Sequence, residues 1–201
     1  MYIANTATFL FLAMITATML PINPALAHGF RVTLIVPGPN AGSVQGGQFQ
    51  KGFMLAATER DGHPDQESDG HLGGLDVYVE VIYGQGDIAA GFRRIAARGE
   101  VSIAVAFGSD ATIARVRKFL DGKAITLLPP GQSPFARSET APVAAFIAAY
   151  KLFYGHGPTS QAAQGYNAAR RIDVAVRAQG GVSDPSLLRA SFRATARGFS
   201  W

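Results

Sequence analysis

The chain has 201 residues, 48% hydrophobic and 16% charged, with no cysteine and a formal net charge of +4. That length suits one domain and that apolar share can bury a core, which excludes a disordered chain; the lack of thiols excludes disulfides, thiolate metal centres, iron–sulfur clusters and a cysteine nucleophile. The cations are spread along several predicted helices, from Arg93 to Arg197, without the one-sided clustering and stacking aromatics of a nucleic-acid footprint, so no nucleic-acid partner is expected.

Residues 8–20 (TFLFLAMITATML) are an uncharged apolar run, followed by Pro21, Pro24 and the small-x-small triplet Ala25-Leu26-Ala27. A run of about 13 residues falls short of the ~20 that span a bilayer comfortably, so residues 1–27 read as a cleavable signal peptide, cut after Ala27. They contain no Lys or Arg, which leaves the positive charge of the leader to the terminal amine; an uncleaved anchor or a misassigned start are the alternatives. The expected product is a single domain over residues 28–201, exported to the periplasm.

Residues 30–36 (FRVTLIV) are apolar and β-branched and stop at Pro37, as a strand does. A glycine-rich turn segment follows, and from Gln48 the positions Phe49, Phe53, Met54 and Ala57 share one helical face. Residues 61–74 (DGHPDQESDGHLGG) read as an exposed loop. His63, Asp65, Glu67, Asp69 and His71 within it are the densest set of possible metal ligands, but no rigid spacing holds them, and no metal site is expected.

Residues 75–83 (LDVYVEVIY) form the next strand, and Asp87 can cap a helix bearing Ile88, Phe92 and Ile95. Residues 101–107 (VSIAVAF) do not alternate, which suits a strand buried on both faces. Ser109 or Asp110 caps a helix with Ile113, Val116 and Leu120, and residues 124–128 (AITLL) are a fourth strand. Strands alternating with amphipathic helices imply a mainly parallel sheet of about four strands with helices on both faces, a three-layer α/β sandwich.

Beyond Gly131 the pattern turns helical. Pro142 opens a helix with Val143, Phe146, Ile147, Tyr150 and Tyr154 along one side, ended by Gly155. Thr159 or Ser160 starts the next, with Tyr166, Ala169, Ile172 and Val176 as its buried stripe, and Asp184-Pro185 starts the last, anchored by Leu188 and Phe192. The chain offers no Gly-x-Ser-x-Gly elbow, Walker loop or full dinucleotide fingerprint, and nothing fixes a base for Ser43, Ser109 or Ser133, so neither catalysis nor a cofactor is expected.

Three stretches in order resemble one family. Residues 32–59 (VTLIVPGPNAGSVQGGQFQKGFMLAATE) are similar to the opening strand, glycine-rich loop and helix of type I periplasmic solute-binding proteins of the leucine/isoleucine/valine-binding type. Residues 77–110 (VYVEVIYGQGDIAAGFRRIAARGEVSIAVAFGSD) resemble that family's second and third units. Residues 146–192 (FIAAYKLFYGHGPTSQAAQGYNAARRIDVAVRAQGGVSDPSLLRASF) resemble its late helical section, with a Gly-x-x-Pro turn before an Ala-x-Gly-Tyr-x-Ala-Ala-Arg helix.

The resemblance implies a ligand held by main-chain amides and small hydroxyls in loops at the carboxyl ends of the first, third and fourth predicted strands. In this sequence those positions are Ser43, Gln45, Gly108, Ser109, Gln132 and Ser133. One departure matters: where the family places a second lobe, residues 131–141 alone join the fourth strand to the helical section, so a single lobe is expected. Gln45 stands where relatives often carry an aromatic residue, and Pro130 supplies no amide donor.

The function so implied is a solute-binding-like protein of an ABC-type, branched-chain-like amino acid transport system, with reduced or altered ligand binding. Its partners would be a small polar ligand such as an amino acid and an inner-membrane permease or another periplasmic protein. The alternatives are a periplasmic accessory or interaction protein that kept the fold without transport, and a decayed remnant.

Overall fold

The structure, a computed structural model, describes residues 29–38, 44–59, 61–62, 67–128 and 141–196. The expected leader, Ser43, Gln132 and Ser133 lie outside those residues. The elements in chain order are β1 (Gly29–Val36), α1 (Val44–Thr58), β2 (His71–Leu72), β3 (Leu75–Tyr83), α2 (Ile88–Ala96) and β4 (Val101–Ala106), then α3 (Asp110–Leu120), β5 (Thr126–Leu128), α4 (Ala141–Tyr154), α5 (Ser160–Gln179) and α6 (Pro185–Ala194).

The sheet runs β2-β3-β1-β4-β5, with β1 parallel to both β3 and β4, β4 parallel to β5, and β2 antiparallel to β3. β1 is therefore a middle strand covered on both faces, which is why it lacks alternation: Val32, Leu34 and Ile35 are all 0% exposed. On one face, β1 residues Val32 and Leu34 pack with α1, α4, α5 and α6 through Phe53, Phe146, Ile172 and Phe192. On the other, Ile35 and Ala104 pack with α2 and α3 through Phe92, Ile95 and Val116. The expected three-layer α/β architecture with a helical C-terminal third is what the chain adopts.

Local chemistry sets the helix ends. Asp87, Ser109, Thr159 and Asp184 each accept a first-turn amide with their side-chain oxygen, and Gly180 closes α5 at φ 68°. Among the described residues no helix is long and apolar enough to cross a membrane.

Three details differ from the sequence reading. First, the expected loop over residues 61–74 contains β2. Leu72 is 1% exposed, and Gly73-Gly74, at φ 68° and 86°, make the tight positive-φ connection that lets the chain double back onto β3. Second, α1 starts at Val44 rather than at Gln48, so Gly46 and Gly47 are helical. Gly46 is where α1 meets the end of β1: a Cβ there would stand 2.6 Å from the Pro37 carbonyl oxygen. Third, α5 is buried nearly all round between Ala162 and Val176 instead of along one stripe, because α1, β2 and α6 all pack on it.

Candidate functional site

The parallel strands follow the order β3-β1-β4-β5, so the connection after β1 leaves to one side of the sheet and the chain later crosses to the other. A doubly wound sheet of this order opens a crevice at the carboxyl ends of the two strands where direction reverses, here β1 and β4. α1 leaves β1 over one face and α3 leaves β4 over the other, so both helix N-termini, with their outward amides, border that crevice.

The crevice floor is tight. The Phe107 amide donates to the Ile35 carbonyl at 2.8 Å, tying the end of β4 to the end of β1. Pro37 is approached from both sides, by Gly46 of α1 and by Gly108, at which a Cβ would come 3.7 Å from the proline Cγ. Gly108 has φ 151°, a backbone position that favours glycine. Phe107 stacks on Phe49 of α1 with ring centroids 4.5 Å apart, which seats α1 against β4.

Of the expected ligand residues, the structure brings Gln45, Gly108 and Ser109 to this end of the sheet. All three are exposed. Gln45 projects from the first turn of α1, which contains no acidic residue, so nothing in that turn offsets the positive end of the helix. Ser109 already has work: its Oγ accepts from the Thr112 amide at 3.3 Å as the cap of α3 and lies 3.2 Å from the Thr112 hydroxyl.

Two residues at this end were not foreseen from sequence. Gln85, in the turn after β3, accepts the Gly38 amide through its Oε1 at 2.6 Å. Arg115, one turn into α3, donates to the Gly84 and Gly86 carbonyls, each at 3.1 Å, and so holds the β3–α2 turn against α3. Neither contact has a local pattern, since the partners are 47 and about 30 positions apart. A glutamine beside glycines, QGD in this chain, is the only sequence trace of the first.

On the far side of α1, the Tyr150 hydroxyl donates to Gln48 Oε1 at 2.6 Å and Tyr154 donates to the Lys51 carbonyl at 3.0 Å. Burial pushes the Tyr150 phenol up to about 12, with the neighbouring Tyr154 adding to the shift, and burial raises Tyr154 as well. These tyrosines hold α4 to α1 and do not reach the crevice residues.

Among the described residues no three metal-ligating side chains come together. Asp69 and His71 of the polar segment have other partners: Asp69 accepts the Val79 amide at 2.8 Å, and His71 lies between Asp61 at 3.1 Å and Asp76 at 2.9 Å.

No protein-family model matches the chain, and no curated protein matches it. Among solved structures, it is similar to a solute-binding protein of an ABC transporter from Rhodopseudomonas palustris BisB5, in complex with 3,4-dihydroxy benzoic acid. That similarity covers 82% of this chain and 85% of the other, at 15% sequence identity and a TM-score of 0.44.

Proposed function

We propose that residues 28–201 form one solute-binding-like lobe, exported to the periplasm, that meets a small polar ligand at the carboxyl end of the sheet and serves an ABC-type importer of branched-chain-like amino acids. The observation that supports this most is the switch point between β1 and β4, where Gln45, Gly108 and Ser109 share one exposed edge beside two helix N-termini. Ser43, Gln132 and Ser133 complete the proposed ligand set by their place in the chain, next to α1 and after β5. The proposed contacts are main-chain amides and hydroxyls for a carboxylate.

A lobe without an opposing jaw encloses less of a ligand than a deep pocket does, so affinity should be low, with Kd about 0.1–1 mM. Calorimetry of residues 28–201 against amino acids, short amides and small carboxylates tests the reading. Saturable binding of one class is expected, weakened by Gln45→Ala and by Ser109→Gly, the latter chosen because glycine still serves as a helix cap. Absence of binding across the panel, or binding indifferent to both changes, would overturn it.

A second reading, an interaction protein that kept the fold without transport, is favoured by α4, on which Leu152 is 88% and Phe153 65% exposed. It predicts no ligand in the same panel and a stable complex with another periplasmic protein that Leu152→Glu disrupts.

A further inference from the structure

The sheet has a second concave region, at the amino-terminal ends of β4 and β5 and so away from the crevice above. Two hollows of about 370 Å³ each adjoin there and share Lys123 and Ile125. The first lies between α2 and α3; Ala89, Ala96, Phe92 and Phe119 wall it and Val101 lies at its base. Phe92 and Phe119 stack at 5.1 Å, which makes one side a continuous aromatic surface. The second lies between the end of α3 and α6, where Arg117, Lys123, Arg189 and Arg193 surround Leu120 and Phe192.

The acids lining the two hollows are Glu100 and Asp121, one in each. Among the described residues, none of the four cations of the second hollow makes a salt bridge: Lys123 lies over the Phe119 ring at 4.9 Å and Arg189 donates to the Ser186 hydroxyl at 3.2 Å. Arg117 and Arg193 sit in the last turns of α3 and α6, where the helix dipole favours a cation. That accounts for two of the four. It does not account for Lys123 and Arg189 converging on the same space, nor for an aromatic hollow opening beside them. Thr126 adds a polar group: it lines the second hollow, is 1% exposed, and its Oγ1 has no hydrogen-bond partner among the described residues.

We infer that the two hollows form one site for an amphipathic anion, its apolar chain along Phe92 and Phe119 and its carboxylate or phosphate head among Lys123, Arg117 and Arg193. An anionic head relieves the mutual repulsion of the cations, and an apolar tail takes the part-exposed Phe119, Ala89 and Ala96 out of water, since Phe92 beneath them is already buried; a ligand with only one of these features gains only one of the two terms.

Titration of residues 28–201 with sodium octanoate, sodium acetate and 1-octanol separates the possibilities, because the last two carry the head or the tail alone. Octanoate should bind saturably and about tenfold or more tighter than either. Two variants report on the halves independently: Lys123→Glu with Arg193→Glu reverses the charge of the head site, and Ala96→Trp fills the apolar hollow from an exposed position at the end of α2. Each should weaken octanoate by about tenfold, while Gln45→Ala, at the other end of the sheet, should leave it unchanged; failure of the solute-binding reading would thus leave this result untouched. Three probes of equal affinity, no saturation below about 10 mM octanoate, or full binding by Ala96→Trp would overturn the inference.

Discussion

Asp173 is 2% exposed, and its carboxylate accepts from, among others, the Gly73 amide at 2.8 Å, Arg177 at 3.0 Å and Arg170 at 3.3 Å. It therefore fastens the β2–β3 turn to α5 while neutralising a buried arginine. Asp173→Ala removes the acceptor and leaves those donors behind, which should cost about 3–5 kcal/mol in urea unfolding. Tyr150 gives the pH counterpart. Its phenol is held up to about 12 in the folded chain, chiefly by burial, against 10.0 as its ordinary value. Below the lower value both states keep the proton; between the two only the unfolded chain releases it, so stability falls as pH rises through that window. Tyr150→Phe should flatten the decline by up to about 1.4 kcal/mol per pH unit, measured as the difference in unfolding free energy between variant and parent across the window; identical slopes would show that the phenol is not held. At this scale the caps Asp87 and Asp184 were readable from sequence, and Ser109 and Thr159 to within one residue, because all four bond amides two or three positions away. The Asp173 fastening was not, since its partner Gly73 lies 100 positions away.

α1 and α5 cross through glycine. A Cβ on Gly52 would fall on the Ala162 carbonyl, and one on Gly165 on the Phe49 carbonyl, so the two backbones are in contact with no room for a methyl group. Gly52→Ala and Gly165→Ala should each destabilise by at least the ~1–3 kcal/mol of an overpacked core. Gly47, on the exposed side of the same α1 helix, has nothing within 4 Å of the position a Cβ would take, so Gly47→Ala should instead stabilise by about 0.5–1 kcal/mol through helix propensity. Thermal or urea melts of the three variants side by side check the assignment; a neutral Gly165→Ala would mean that the helices do not cross there. Sequence periodicity named α5 as a helix from Tyr166, Ala169, Ile172 and Val176 but underestimated its burial. A period of 3.6 reveals a helix with one covered face. When several neighbours cover it, Ala162, Ala163, Ala168 and Ala175 are buried as well, and alanine does not announce its side. β2 escaped for the opposite reason: two residues are too few to show any period, and its one apolar residue, Leu72, sits among glycines and acids.

For the molecule as a whole, alternation of strand and helix specified a parallel sheet but not which strand lies in the middle. The resemblance pointed to the loops after β1, β4 and β5, in agreement with the carboxyl-end rule for open sheets, and it could not reveal that Gln85 and Arg115 brace that end, because bracing depends on where β3 pairs. β1 is the test of the arrangement. It is hydrogen-bonded to β3 on one side, from Gly29 to Val36, and to β4 on the other, from Arg31 to Ile35, and it supplies Phe30, Val32 and Leu34 to the larger core. Burial of each such side chain is worth about 1.5–3 kcal/mol, so losing the three together removes an amount comparable with the ~5–15 kcal/mol that holds a domain folded. Deletion of residues 1–28 should leave a cooperative urea transition, since β1 begins at Gly29. Deletion of residues 1–34, only slightly longer, should abolish the transition, for it splits the sheet between β3 and β4. An edge strand would tolerate that second cut with a modest drop in midpoint, so a cooperative transition in the longer deletion would place β1 at the margin of the sheet and remove the crevice on which the proposed ligand site rests.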